Sequence, residues 1–355
     1  MNERELPPLV WSGLPAFLES ASVWIDRALA KVLPDQEPRA LLYDLVRDYP
    51  GRGGKRFRPA LMLLSCQLAG GRPERVLPTA AALELFHSFA LVHDDIEDGS
   101  LIRRGRPALH RLHGLPLALN AGDTLFALTY DALRENETHL GAELAWRIFG
   151  EFQAAVRRTL EGQAFDIGWI ARNHLPSRAE YETMIRLKTG WYSGRGPCRI
   201  GALIGGASAQ EAETIGDFGE RLGIGFQIRD DWLNLTADSA GRAPAAQSGG
   251  YGKERGGDIA EGKRTLIVIE LMERLPAVEA ERLGRILTAE PDQTAAADIA
   301  WVIDRAEQTG ALEAVRQRAE ELAREAGALL ERFPASPARE LLQELTRYLV
   351  NDRAA

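Results

Sequence analysis

Cysteine is almost missing from this chain: two residues, Cys66 and Cys198, in 355. They cannot build a disulfide framework, and neither stands at metal-ligand spacing, so a disulfide scaffold and thiolate metal chemistry are excluded and a reducing, cytoplasmic setting is expected. A basic excess is missing too. Against 43 Lys and Arg stand 51 Asp and Glu, a formal net charge of −8, which argues against a nucleic-acid partner while leaving room for a small basic pocket. Long uninterrupted apolar runs are absent. The most apolar stretches, such as residues 115–132, broken by Asn120, Asp123 and Asp131, read as buried helices, and no transmembrane segment is expected. Residues 1–8 are acidic and lack the apolar core of a signal peptide. Finally, alternating β-branched runs are rare, which excludes a sheet-based fold.

What is present is helical periodicity in a chain that is 45% apolar and 26% charged, enough for a sizeable core. The spacing predicts an all-α protein with long helices near 58–69, 76–98, 116–134, 139–171, 178–188, 191–205, 209–234 and 311–332, among shorter ones. Joints such as Gly70-Gly-Arg-Pro73 and Asn173-His-Leu-Pro176 separate them. No linker or repeat divides the chain, so residues 1–355 are expected to form one helical domain. Its one long interruption, about 236–257, is rich in Gly, Ala and Ser, and is expected to be a flexible or functional loop.

Into this apolar pattern the chain twice sets uncompensated acids. Asp94, Asp95 and Asp98 end the segment Leu91-Val-His-Asp-Asp-Ile-Glu-Asp98, and Asp230-Asp231 follow Gly225-Phe-Gln-Ile-Arg229. At helical spacing His87, Ala90, Asp94 and Asp98 share a face with Phe89 and Asp95 flanking, and Gln227, Asp230, Asp231 and Asn234 share another. Alone, an acidic run is usually a solvated helix end; two in apolar helices are costly unless a cation compensates them. Oxygen donors without histidine or thiolate suit a hard ion, magnesium above all, bridging to phosphate. Lys55 and Arg58 in Gly51-Arg-Gly-Gly-Lys-Arg-Phe-Arg-Pro59, with Arg103 and Arg104, supply cations for such a ligand.

An ordered set of motifs then narrows the reading: Gly53-Gly-Lys-Arg-Phe-Arg-Pro59, Asp94-Asp-x-x-Asp98 with Arg103-Arg-Gly105, Asn120-Ala-Gly-Asp123, Gly162-Gln-x-x-Asp166, Lys188-Thr189, Phe226-Gln-Ile-Arg-Asp-Asp231 and Asp258-x-x-Glu-Gly-Lys263. In this order, over roughly residues 38–353, the chain resembles the trans-isoprenyl diphosphate synthases, or polyprenyl synthetases, of farnesyl and geranylgeranyl type. The resemblance implies an isoprenoid-synthase-type helical bundle around a deep central cavity, and a homodimer. It implies a prenyltransferase that joins isopentenyl diphosphate to an allylic diphosphate, 1′-4 and head to tail, by ionisation, condensation and elimination.

By the same resemblance Asp94, Asp98 and Asp230 hold three magnesium ions on the allylic diphosphate, with Asp95 and Asp231 counted in the catalytic set. Arg103, Lys188, Lys263 and Lys253 add positive charge there. Lys55, Arg58, His87 and Arg104 match the positions that bind isopentenyl diphosphate, while Thr189 and Gln227 match polar stabilisers of the allylic cation. Phe89 and Ala90, one turn below the first acids, set product length, and a large residue beside a small one implies farnesyl or geranylgeranyl diphosphate. Three departures stand out. Asn234 replaces a frequent aspartate, Ile267 replaces a frequent proline, and Arg195 and Arg199 fall on a helix expected near the tail pocket. Two other readings are a terpene cyclase of the same fold and a noncatalytic subunit of a heteromeric synthase. The intact second aspartate pair and the basic set weigh against both.

Overall fold

The structure, a computed structural model, describes residues 6–236, 255–289 and 293–352. Its helices, in chain order, are α1 (Leu14–Val32), α2 (Asp44–Gly51), α3 (Phe57–Leu68), α4 (Leu77–Glu97), α5 (Leu109–His113), α6 (Leu115–Arg134), α7 (Asn136–Leu140), α8 (Ala142–Ala171), α9 (Arg178–Ile185), α10 (Gly196–Gly205), α11 (Ala209–Thr236), α12 (Gly257–Ala260), α13 (Leu266–Arg274), α14 (Ala277–Ile286), α15 (Ala296–Gln308), α16 (Ala311–Leu330) and α17 (Pro337–Arg347). The all-α expectation holds. Among the described residues the one sheet is a two-stranded hairpin, Ile102–Arg103 paired with Arg106–Pro107. Arg104 and Gly105 turn it at φ +52° and +74°, the left-handed pair a tight two-residue turn needs.

α4 is the central post. Proline in its first turn starts it without wasting a donor, and its apolar positions run all round the helix, so it is buried on nearly every side. By length and hydropathy residues 73–97 pass as a membrane span, yet most of that stretch is packed inside the protein, as a core helix is. α4 lies along α6, α3 along α10, and α11 along both α16 and a wide-turned π-helical segment, Arg186–Arg195. One continuous apolar cluster links them from Leu14 to Val350.

Two boundaries differ from the sequence expectation. The helix expected over 139–171 breaks at Gly141, whose φ of +81° caps α7. The helices expected over 178–188 and 191–205 are joined without a gap by the π-helical segment, which gives their junction its odd pitch. Such wide turns re-aim side chains and concentrate at functional sites. Of the interruption expected at 236–257, residues 237–254 lie outside the described residues, Lys253 among them. The chain re-enters at Arg255, whose Nε donates to Leu235 O at 2.8 Å.

Candidate active site

The first acids sit where α4 stops. Gly99, at φ +64°, lets Ser100 N–H donate to Asp95 O (2.9 Å) and Gly99 N–H to Ile96 O (3.3 Å), a bond pair that ends a helix. The carboxylates thus share the last turn with the negative end of the helix dipole, an arrangement that favours a nearby cation. Asp94, Phe89, Ala90 and His87 line one cavity of about 530 Å³. Gln227 and Asp230 of α11, Lys188 and Thr189 of the π-helical segment, and Lys263 complete the wall around the acids, while Lys55, Arg58, Arg103 and Arg104 line the same cavity as its basic part. Chain positions 55 to 263 converge on one volume.

Asp95, Asp98 and Asp231 are not on that wall. Asp95 is fully buried and takes hydrogen bonds from Tyr49 Oη and from Arg103 Nε at 2.9 Å. A turn of about 100° per residue carries it from Asp94's side of α4 to the side where Tyr49 and Arg103 wait. The expected flanking of the cavity by Asp95 is therefore corrected: it orients Arg103 and leaves the cavity to Asp94. Asp231 is likewise turned into a smaller recess, accepting from Gln227 Nε2 (2.9 Å) and Tyr181 Oη (3.3 Å) near Asp258 and Lys263. Burial and the charges of Asp258 and Asp230 push its carboxyl up to about 8. Asn234, expected to share a face with these acids, is wholly buried; its side-chain oxygen accepts Asp258 N–H at 3.3 Å. An amide there ties α11 to α12 without adding a third buried charge.

Lysines hold the acids apart. Lys263 donates to Asp98 (2.7 Å) and pairs with Glu261 (2.9 Å). Even so, burial and the charge of Asp94 push Asp98 up to about 7. Lys188 donates to Asp166 and lies 3.8 Å from Asp94. Burial alone would lower Lys188, but Asp166 and Asp94 raise it above the ordinary lysine range. Gly162 makes this possible: a Cβ there would stand 2.2 Å from Lys188 N, so α8 can press against the π-helical segment only without a side chain. Gln163, next in the chain, donates to Glu97 (2.6 Å) and reaches Asp94 at 3.4 Å.

In the basic part hydrogen bonds hold like charges together against their repulsion. Arg58 is held by Ser193 Oγ (2.9 Å) and Tyr192 Oη (3.0 Å) and lies 3.3 Å from His87 Nε2. His87 is kept neutral because burial, then Arg58, Arg104, Arg103 and Arg56, lower it well below its ordinary value. Since arginine only donates, Nε2 accepts and the ring proton sits on Nδ1, which finds no partner among the described residues. Arg104 is pushed down to about 10 by burial, against the pull of Glu84 and with the push of Arg56, Arg103 and Arg58. Lys55 donates to Tyr348 Oη and stacks on that ring at 4.8 Å. Cations crowded to this degree are short of negative charge.

Sequence reasoning missed Tyr49, Tyr192, Ser193 and Tyr348, which hold site residues from distant elements, and gave Asp166 and Gln163 no task although their motif was noted. Arg195 and Arg199 do not enter the cavity. They pair with Glu213, Asp217 and Glu151 on α11 and α8, so they leave the tail pocket unblocked. Among the described residues no three His, Cys, Asp or Glu side chains converge as a ready-made metal cage. Asp94 and Asp230, presented by two helices to one cavity, instead fit a hard cation that completes its shell with water and phosphate oxygen.

The family model for polyprenyl synthetase matches residues 39–304. A short chain isoprenyl diphosphate synthase from Methanothermobacter thermautotrophicus is 34% identical, over 95% of this chain and 97% of its own. A geranylfarnesyl diphosphate synthase from Aeropyrum pernix is 35% identical over 84% of this chain and 90% of its own. The crystal structure of geranylgeranyl pyrophosphate synthetase from Pyrococcus horikoshii superposes with a TM-score of 0.85 at 32% identity, covering 95% of this chain and 98% of that one. The chain belongs to the polyprenyl synthetase family, the trans-prenyltransferases that make isoprenyl diphosphates.

Proposed function

We propose that this cavity joins isopentenyl diphosphate to an allylic diphosphate and releases a short-chain product of geranylgeranyl or farnesyl length. One observation carries the reading: a single cavity holds two aspartates from separate helices beside a crowd of mutually repelling cations, above an aromatic floor. Two diphosphates and an apolar tail answer those three demands together. Magnesium, three ions per site in this proposal, would be held by Asp94 and Asp230 on the cavity wall and by Asp98, which lies off the wall but is bonded to the wall residue Lys263, and would supply Lewis-acid stabilisation of charge on the leaving diphosphate.

The chain's own residues do the rest. Lys188 and Lys263, kept protonated by neighbouring carboxylates, approach the allylic diphosphate, and Arg103 is aimed there by Asp95. Arg58, Lys55 and Arg104 take the isopentenyl diphosphate, and His87 Nδ1–H finds in a phosphate oxygen the acceptor it lacks. When the allylic carbon–oxygen bond breaks, both electrons leave with the diphosphate. The isopentenyl double bond provides the pair for the new carbon–carbon bond, and the proton then released passes to the departing diphosphate. Thr189 donates to the Gln227 side-chain oxygen at 3.3 Å, so this linked pair sets oxygen dipoles beside the cationic centre without offering a strong nucleophile. Phe89 and Ala90 stop the growing tail.

A homodimer in the cytoplasm is part of the proposal. α6 and α8 expose Leu115, Leu119, Trp146 and Phe165 to solvent, an apolar surface suited to a second copy. The test is incubation with magnesium, isopentenyl diphosphate and dimethylallyl, geranyl or farnesyl diphosphate separately, with mass analysis of products. No consumption of isopentenyl diphosphate with any primer overturns the proposal; hydrocarbon formed from an allylic diphosphate alone would mark a cyclase.

A further inference from the structure

His93, the residue before the first acid, has no role in the proposal above, yet its surroundings are built around it. Its ring lies 4.5 Å, centroid to centroid, from Phe89, one turn deeper on α4. On α6 the facing residue is Gly122, where a Cβ would stand 2.6 Å from both His93 Cδ2 and Nε2. The imidazole fills the notch that this glycine leaves. One turn along α6 from Gly122, Phe126 packs on Phe89 at 4.9 Å, so two layers match: His93 into Gly122, Phe89 against Phe126. Asp123 Oδ1 lies 3.5 Å from His93 Nε2 on the solvent side without a hydrogen bond between them, so packing alone seats the ring. His93 and Phe89 both line the cavity.

We infer that His93 is a positioning residue for product length: wedged between Gly122 and Phe89, it holds the phenyl ring across the path of the growing tail. This rests on the synthase reading, in which the tail grows toward Phe89. Without the imidazole, Phe89 gains an open space on its α6 side and can swing off the path. A side chain at Gly122 would push the imidazole the other way, against Phe89, and narrow it. Volume and van der Waals contact drive both effects, because a close-packed wall has no slack to absorb a displaced ring.

The test is product length and primer preference in five variants. His93→Ala is expected to shift the longest product up by one isoprene unit and raise kcat/KM for farnesyl diphosphate roughly tenfold, with KM for isopentenyl diphosphate moving less than about twofold. Gly122→Ala is expected to shorten the product, and His93→Ala in that background to restore at least wild-type length, because the clash is with the imidazole. Added to Phe89→Ala, His93→Ala should lengthen nothing further, since both act through one ring. Active His93→Ala enzyme with an unchanged product spectrum overturns the inference, as does a product that stays short in the Gly122→Ala, His93→Ala pair. Failure of the wild type to consume isopentenyl diphosphate would instead overturn the synthase reading. Binding of unreactive thiolo analogues of dimethylallyl and farnesyl diphosphate then still reads the tail path: His93→Ala must favour the longer analogue, and an unaltered ratio counts against the wedge.

Discussion

Replacing Asp94 and Asp95 one at a time separates two jobs that adjacent, chemically identical residues perform. Asp95 is sealed from solvent and shares its charge with Arg103, itself deeply buried, and with Tyr49 Oη. Burial alone would lower Arg103, but the hydrogen bonds and charge of Asp95, with the charge of Asp94, hold it above the ordinary arginine range. Asp95→Ala removes the partner and leaves the guanidinium with Asp94 alone, 3.7 Å away. Breaking a buried pair in this way costs about 3–5 kcal/mol. Tyr49→Phe removes one hydrogen bond to a buried carboxylate, about 1.5–3 kcal/mol. Asp94→Ala removes only its longer contacts with Arg103 (3.7 Å) and Lys188 (3.8 Å), each of which keeps a closer carboxylate in Asp95 or Asp166, and relieves the repulsion that raises Asp98, so the metal-free fold should lose little. Urea unfolding of the metal-free protein, paired with turnover at saturating magnesium, reads both. Asp94→Ala should unfold near the wild-type midpoint and turn over almost nothing. Asp95→Ala should unfold at far lower urea, and Tyr49→Phe in between with partial turnover. If Asp94→Ala proves as unstable as Asp95→Ala, or Asp95→Ala as stable as wild type, the division of labour drawn here is wrong.

Metal binding should depend on pH in a defined direction. Asp98 titrates at about 7 and Asp231 at about 8 in the metal-free protein, against about 3.9 unfolded, so the folded state binds the extra protons and its stability falls as pH rises from about 4 to about 8. Magnesium selects the carboxylates, so its stabilising increment, followed as Tm with and without the ion, should grow over that window; Asp98→Asn should flatten the growth, and an increment indifferent to pH would contradict it. Arg58→Ala should raise KM for isopentenyl diphosphate at least tenfold, roughly the loss of a charged hydrogen bond, while KM for the allylic primer changes little; equal effects on both in steady-state kinetics would misplace Arg58. Gly162→Ala sets a methyl group 2.2 Å from Lys188 N and should lower Tm and turnover together by parting α8 from Lys188, whereas exposed Gly150→Ala on the same helix, with open space at its Cβ, should lower neither.

The sequence by itself determined the all-α class, most helix boundaries and most of the charged residues that line the cavity. Period 3.6 and turn chemistry are local, and an ordered set of charged motifs survives any folding of the chain between them. Which side of a helix a residue finally presents is not local. Helical spacing sets Asp94 on a face that Asp95 only flanks, and the resemblance makes Asp94 the ligand candidate; that Asp95 braces Arg103 emerges only from the packing of Tyr49 and of the Arg103 hairpin against one side of α4. The same holds for Asp230 and Asp231, divided by Tyr181 and the α11–α12 junction. Arg195 and Arg199 looked like intruders in the tail pocket until the acids of α8 and α11 were seen to claim them. The π-helical segment could not be read because its extra residue per turn arises where Gly162 lets α8 close on Lys188, a contact between residues 26 positions apart. His93 could not be singled out for the same reason: in the sequence it is only the residue before Asp94, and the notch it fills belongs to Gly122 on another helix. Composition and periodicity fix what a chain can bury; which charges end up facing one another is decided only when the helices meet, because electrostatic and steric terms depend on distance in space and not along the chain.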